Sequence, residues 1–270
     1  MTFFKQLEQL QEKNNSLVCP GFDPDMDKIP KHLLGDEDPI FSFCKGIVDT
    51  TIDLVCAYKP NIAFFEAYGI KGLESLKKTI DYVHELDGLV IIDAKRNDIG
   101  NTAKMYAKSM FDNLGSDALT INPYMGSDSV KPFLEYKDKG IFVLARTSNP
   151  GGADFQNLIC DGKPLYETVV KKVLEWDENG NAGLVTGATF PEELGAIRKM
   201  APGTTFLVPG IGSQGGDVEK TLKAGLREDG KGLVIVSARG IIYASSGEDF
   251  AEAAREATIQ LRDEINKYRK

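Results

Sequence analysis

Histidine and tryptophan are nearly absent from this chain: two of the first and one of the second among 270 residues. Four cysteines (Cys19, Cys44, Cys56, Cys160) form no CxxC pair. With so few imidazoles there are too few ligands for a zinc site, and the cysteines read as reduced core or near-surface residues. A basic surplus is missing too. The formal net charge of -8 argues against nucleic-acid or membrane partners, which need positive surface to meet phosphates. An anionic ligand must then find a local positive site. No apolar run approaches the roughly 20 residues of a membrane span. The N-terminal MTFFKQLEQLQEKNNS interrupts its apolar residues with Lys5, Glu8, Glu12 and Lys13. It predicts a packing helix with Phe3, Phe4, Leu7 and Leu10 on one face, not a signal peptide, so the expected location is the cytoplasm. Linkers and low-complexity tails are also missing, and 42% hydrophobic with 27% charged residues is the balance of a globular chain with a large core.

What the chain has is repetition. Short apolar segments, each followed by a turn cluster and a longer amphipathic stretch, read SLVCPGFDP, DLVCAYKPN, GLVIIDAKRND, ALTINPYMG, GIFVLARTSNPGG, AGLVTGAT, TTFLVPGIGSQGG and GLVIVSARGI. Continuous rather than alternating hydrophobicity marks strands covered on both faces, as in parallel sheet with crossover helices. Eight such units predict an α/β fold, a single (β/α)8 TIM barrel over residues 1–270. The alternative is an open doubly wound sheet, but its glycine fingerprint is missing from the first strand-to-helix turn. The longest irregular stretch, from Thr147 to about Lys163, carries Pro150, Gly151, Gly152 and Gly162 and is expected to form an active-site wall or lid.

Polar residues recur just after the predicted strands: Asp23, Lys59, Asp93, Lys95, Asn122, Arg146, Gln214 and Arg239. In a barrel of this kind those ends make one face, where the chemistry lives. Within DAKRND, strand alternation puts Asp93 and Lys95 on one side, and Asp98 follows in the loop or at the next helix start, where Asn101 or Thr102 could cap free amides. A lysine flanked by carboxylates is favoured in its charged form and can donate a proton; the same run could equally be a structural ion-pair cluster. PGIGSQGGD after the seventh strand and SARG after the eighth occupy the loops where such barrels hold phosphate, with Gln214 donating from its amide and Arg239 gripping two oxygens. A plain connecting turn is the alternative there. Lys59 closes the second strand, followed by Asn61; it is either paired with Asp93 on the neighbouring strand or reaches solvent at the rim.

Across essentially the whole chain, GFDP, YKPN, DAKRNDIGNT, TINPYMG, ARTSNPGG, VPGIGSQGGD and SARGI resemble the orotidine 5'-phosphate decarboxylase family, particularly its longer bacterial branch. The resemblance implies decarboxylation of orotidine 5'-monophosphate to uridine 5'-monophosphate in pyrimidine biosynthesis without cofactor or metal. It implies that Lys59, Asp93, Lys95 and Asp98 form an alternating charged tetrad. Asp98, with Ile99 and Thr102, would enter a neighbouring active site across a homodimer interface. Asp23 and Lys59 would contact the ribose, Ser148 the pyrimidine amide, and Gln214 and Arg239 the phosphate. Ala238 stands where many relatives have glycine. Two rival functions remain open at this point: a magnesium-dependent sugar-phosphate decarboxylase or lyase on the same barrel, and a non-catalytic nucleotide-binding barrel. Lysine rather than glutamate at position 59 speaks against the metal-dependent route.

Overall fold

Strands form where Val, Ile and Leu run without interruption. The structure, a computed structural model, describes residues 1–211 and 216–269. Eight strands make its main sheet: β1 Val18–Phe22, β2 Lys59–Pro60, β3 Ile91–Arg96, β4 Ala118–Ile121, β5 Gly140–Arg146, β6 Ala182–Thr186, β7 Phe206–Val208 and β8 Leu233–Ser237. They pair in parallel in the order β2-β1-β8-β7-β6-β5-β4-β3. The ring closes between β2 and β3 through the parallel bridges Tyr58–Val90 and Asn61–Asp93. There Tyr58 N–H donates to Leu89 O at 2.8 Å and Ile91 N–H to Tyr58 O at 2.9 Å. Helices between the strands cover the outside, as a (β/α)8 barrel requires, and every expected strand segment supplies one strand.

Two expectations change in detail. The second segment, DLVCAYKPN, pairs regularly over only two residues, because Ile52–Leu54 form a 3-10 turn. Asp53 is drawn outward to Arg255, with Oδ1 accepting from Nη1 at 2.7 Å, and Pro60 has no N–H with which to extend a ladder. The stretch after β5 is not irregular throughout. It holds a 3-10 turn Pro150–Gly152, a short helix Ala153–Gln156, and an antiparallel pair, Ile159–Cys160 with Lys163–Pro164. Asp161 and Gly162 connect that pair with φ of 51° and 77°, the left-handed backbone of a tight two-residue hairpin.

Strand alternation separates two apolar clusters. One lies between strands and helices and includes Leu119 and Ile121 of β4; the other fills the barrel and includes Cys19, Ile91, Ala118, Phe142, Leu207 and Val234. The helix Phe3–Lys13 packs as its periodicity predicts, with Phe3 and Leu7 fully buried and Phe4 and Leu10 half-buried, and its place is the bottom of the barrel, as a plug. Phe3 stands edge-on to Phe142, centroids 6.0 Å apart. Gln11 Nε2 donates to Leu233 O at 2.8 Å, so the plug is tied by a buried polar bond as well as by area. The top of the barrel, at the carboxyl ends of the strands, is left open.

The plug gives the fold a direct test. Phe3→Ala removes a fully buried ring and should lower the unfolding free energy by about 3–4 kcal/mol, read from urea titration. A loss below about 1 kcal/mol would mean that the helix does not close the barrel.

Candidate active site

The inward residues at the open end enclose a cavity of about 370 Å³. Its floor is divided. Leu144, Val185, Leu207 and Val236, from β5 to β8, make an apolar half; Lys59, Asp93, Lys95 and Thr120, from β2 to β4, make a polar one. The first half offers apolar surface and the second presents charge to the same space, the combination of a small-molecule site.

Asp93 organises the polar half. Its Oδ2 accepts from Lys59 Nζ at 2.7 Å and its Oδ1 from Lys95 Nζ at 2.5 Å and from Thr120 Oγ1 at 2.9 Å. Lys59 is only 4% exposed, which settles its two readings: it is paired within the barrel and does not reach out to solvent. Burial alone would raise the Asp93 carboxyl, but the ammonium charges of Lys59 and Lys95 and their hydrogen bonds outweigh it and hold the group well below the usual carboxylate range. Burial likewise pulls the Lys59 ammonium down, and Asp93, with a smaller contribution from Asp23, more than offsets that and leaves it raised. The pair is therefore ionised on both sides.

Asp93 and Lys95 share the cavity, as expected, but simple alternation does not bring them there. Ile92 pairs with Leu119 and Arg96 with Ile121, so three residues of β3 face the single Thr120 of β4. This is a β-bulge, a device that re-aims side chains beside active sites. Within it Lys95 takes a left-handed φ of 47°, which costs a non-glycine residue about 1–2 kcal/mol. The displaced amides of Ala94 and Lys95 both donate to Thr120 Oγ1 at 3.0 Å. The side chain of Lys95 is about half exposed and stands at the cavity opening.

The walls come from the loops. Asp23, Ser148 and Arg239 all line the cavity, with Asn61, Thr147 and Asn149. Asp23 is seated by Tyr243, whose hydroxyl donates to Asp23 O and accepts from Asp25 N–H, both at 2.8 Å. Tyr243 directly follows the short helix Arg239–Ile242, so one hydroxyl links the Asp23 loop to the Arg239 loop. Ala238 also lines the cavity, and its methyl carbon faces Gly21, where any added Cβ would lie 2.8 Å away. Glycine on β1 thus makes the room for alanine after β8. Gly187 does the same for Ser148, whose backbone N would be 2.7 Å from a Cβ there.

Several expected members stand elsewhere. Arg146 is buried but does not line the cavity: its Nε donates to Glu193 Oε2 at 2.5 Å, its Nη1 to Thr147 O and to Gln156 Oε1, and its guanidinium lies 4.0 Å from the centre of the Phe190 ring. It anchors the wall that carries Ser148. Asn122 accepts from Tyr124 N–H at 3.0 Å and shapes its own turn. Asp98, Ile99 and Thr102 lie outside the cavity of their own chain; Asp98 Oδ1 accepts from Ile99 N–H at 2.8 Å, while Ile99 and Thr102 are exposed. The helix Gly100–Lys108 begins after Ile99 with no side-chain cap, so neither Asn101 nor Thr102 serves as one. Gln214 lies outside the described residues; of its loop, Pro209, Gly210 and Ile211 line the cavity. Thr120 and Tyr243 escaped the sequence reading. The alternation in ALTI, with Ala118 and Thr120 on one face, was the available signal for the first; nothing local marks the second.

Among the described residues no group of three or more His, Cys, Asp or Glu side chains is placed to hold a metal ion, and no helix is long and apolar enough to cross a membrane. What the cavity offers is a fixed ammonium beside an apolar floor, with a cationic arginine on the wall. Known proteins resemble this chain in sequence and fold. Residues 18–257 match the orotidine 5'-phosphate decarboxylase / HUMPS family. An orotidine 5'-phosphate decarboxylase of Azoarcus sp. is 52% identical over 272 residues, which covers the whole of both chains. A solved OMP decarboxylase of Leishmania donovani superposes with a TM-score of 0.87 at 40% identity, covering 99% of this chain and 98% of that one. A UMP synthase of the same organism gives 0.89 at 42% identity, and there the chain spans 56% of the longer protein.

The ion pair sets a pH dependence of stability. The depressed Asp93 carboxyl contributes stability that is whole above the unfolded aspartate value of about 3.9 and is lost as pH falls toward its folded value. The raised Lys59 ammonium contributes stability present below about 10.4 and lost as pH rises through its folded value. Asp93→Asn leaves Lys59 buried without its partner and should lower the unfolding free energy by about 3 kcal/mol at neutral pH. In urea titrations the gap to the wild type should narrow below about pH 4; a gap unchanged on acidification would contradict the pairing.

Proposed function

The chain belongs to the orotidine 5'-phosphate decarboxylase / HUMPS family, and on that premise we propose that it converts orotidine 5'-monophosphate to uridine 5'-monophosphate in pyrimidine biosynthesis, with residues 1–270 as one catalytic unit and no cofactor. The observation that carries this reading is the chain of charge Lys59–Asp93–Lys95 set against an apolar half-floor. Breaking the bond between carbon 6 and its carboxylate releases carbon dioxide and leaves the electron pair on carbon 6, in the ring plane and out of reach of the π system. Stabilisation must come from fixed charge aimed at that carbon, and the Lys95 ammonium supplies it. The same Nζ then gives its proton to carbon 6, and its half-exposed position lets it recover one from solvent. Repulsion between Asp93 and the departing carboxylate is a secondary contribution.

Asp23 and Lys59 bind the ribose, Ser148 the pyrimidine amide, and Arg239 with Gln214 the phosphate. Phosphate binding far from carbon 6 supplies energy for positioning the ring. Asp98, Ile99 and Thr102 serve the site of a second copy. Their absence from their own cavity supports this, as do the exposed apolar residues Ile99, Met105, Tyr124 and Met125 that follow the neighbouring strands β3 and β4. Large apolar side chains left exposed at these positions are what a surface covered by a second copy would present. A magnesium-dependent route is disfavoured because the buried Lys59 ammonium would repel a cation at Asp93. A purely binding barrel has no use for a strained lysine held at its cavity opening.

The purified protein incubated with orotidine 5'-monophosphate should deplete its absorbance, unaffected by chelators. Lys95→Ala should abolish turnover while uridine 5'-monophosphate still binds; turnover kept by this variant would remove Lys95 as proton donor. Mixing Lys95→Ala with Asp98→Ala protein should restore part of the activity through heterodimers. No recovery after demonstrated subunit exchange would mean that each chain works alone.

A further inference from the structure

Thr120 is 1% exposed at the end of β4, and its hydroxyl is saturated. A hydroxyl has one proton and two lone pairs. The amides of Ala94 and Lys95 can only donate, so both lone pairs are taken and the proton must go to Asp93 Oδ1. One oxygen thus holds Lys95 from both ends: directly at its backbone amide, and through Asp93 at its ammonium, which lies 2.5 Å from the same Oδ1. The bulge makes this necessary. With three residues of β3 opposite one of β4, two amides lose their regular strand partners, and buried or half-buried amides left without an acceptor are costly. The Thr120 hydroxyl takes the place of those partners while the backbone of Lys95 stays left-handed.

We propose that Thr120 is a positioning residue for the decarboxylation: its hydroxyl sets the place of the Lys95 ammonium over the reacting carbon by fixing the bulge and the Asp93 carboxylate together. This rests on the role given to Lys95 above. Serine is the only other side chain that offers the same oxygen one bond from Cβ, whereas valine keeps the shape and loses the three hydrogen bonds. Displacement of a reacting group by about 1 Å costs about 100-fold in rate, and loss of the hydroxyl removes the three hydrogen bonds that hold the bulge and the carboxylate against such a shift.

The test compares Thr120→Val and Thr120→Ser with the wild type in the full chain. Thr120→Val is expected to lose roughly 100-fold in kcat with KM and the affinity for uridine 5'-monophosphate nearly unchanged, and Thr120→Ser to recover most of kcat. Equal losses in both variants, a loss confined to KM, or full activity in Thr120→Val would each overturn the proposal. Should Thr120→Val not fold, Thr120→Ala replaces it, with the same serine control. A second measurement needs no substrate: amide hydrogen exchange at Ala94 and Lys95 should accelerate in the valine or alanine variant and not in the serine variant. Unchanged exchange overturns the proposal whatever reaction the enzyme performs. Failure of the function assigned to Lys95 shows instead as turnover in Lys95→Ala, with the exchange result intact.

Discussion

The buried ion pair between Lys59 and Asp93 is the constraint around which the rest of the open end is arranged. A lysine ammonium inside a barrel is tolerated only beside an opposite charge, and a carboxylate so enclosed only when its oxygens are occupied. Asp93 meets both conditions, one oxygen to Lys59 and the other to Lys95 and Thr120. The pair spans β2 and β3, and that seam is where the ladder is weakest, held by isolated bridges rather than by continuous pairing. Charge and backbone therefore close the barrel at the same place.

The placement of Lys95 follows from that pair. Lys95 is two residues from Asp93 on the same strand, and it reaches the other oxygen of that carboxylate from a strand that bulges and a backbone that turns left-handed. Strain of this kind persists where neighbours over-determine it, and here the neighbour is a threonine on the next strand. The same cavity carries an apolar half-floor of Leu144, Val185, Leu207 and Val236, while Lys95 itself stays about half exposed.

The walls repeat this division between groups that face the cavity and groups that hold them. Arg146 has the chemistry of an anion ligand, but Glu193, Gln156, the Thr147 carbonyl and the Phe190 ring take up its donors and its face. Tyr243 contributes no charge but joins the Asp23 loop to the segment bearing Arg239. A charged residue at a strand end can thus be a support for the site rather than a member of it, as Arg146 is.

Much of this was legible in the sequence, and for a physical reason. Hydrophobic runs of strand length are a local property, so eight of them, with helical stretches between, determined a parallel barrel, and barrel geometry placed the strand ends on one face; Asp23, Lys59, Asp93, Lys95, Ser148 and Arg239 line one cavity accordingly. The bulge at Asp93–Lys95 and the short second strand were not legible, because each depends on a partner distant in the chain, Thr120 for the first and Arg255 for the second; the hairpin after β5 is local, and its signal was the Asp161-Gly162 pair. The same holds for Arg146, whose type and position suggested a ligand and whose partners 10 and 47 residues away made it a support. Sequence by itself determined the architecture and the inventory of charge; only the tertiary structure decided which charges neutralise one another and which is left facing the cavity, because a side chain's role is set by the neighbours it meets across strands.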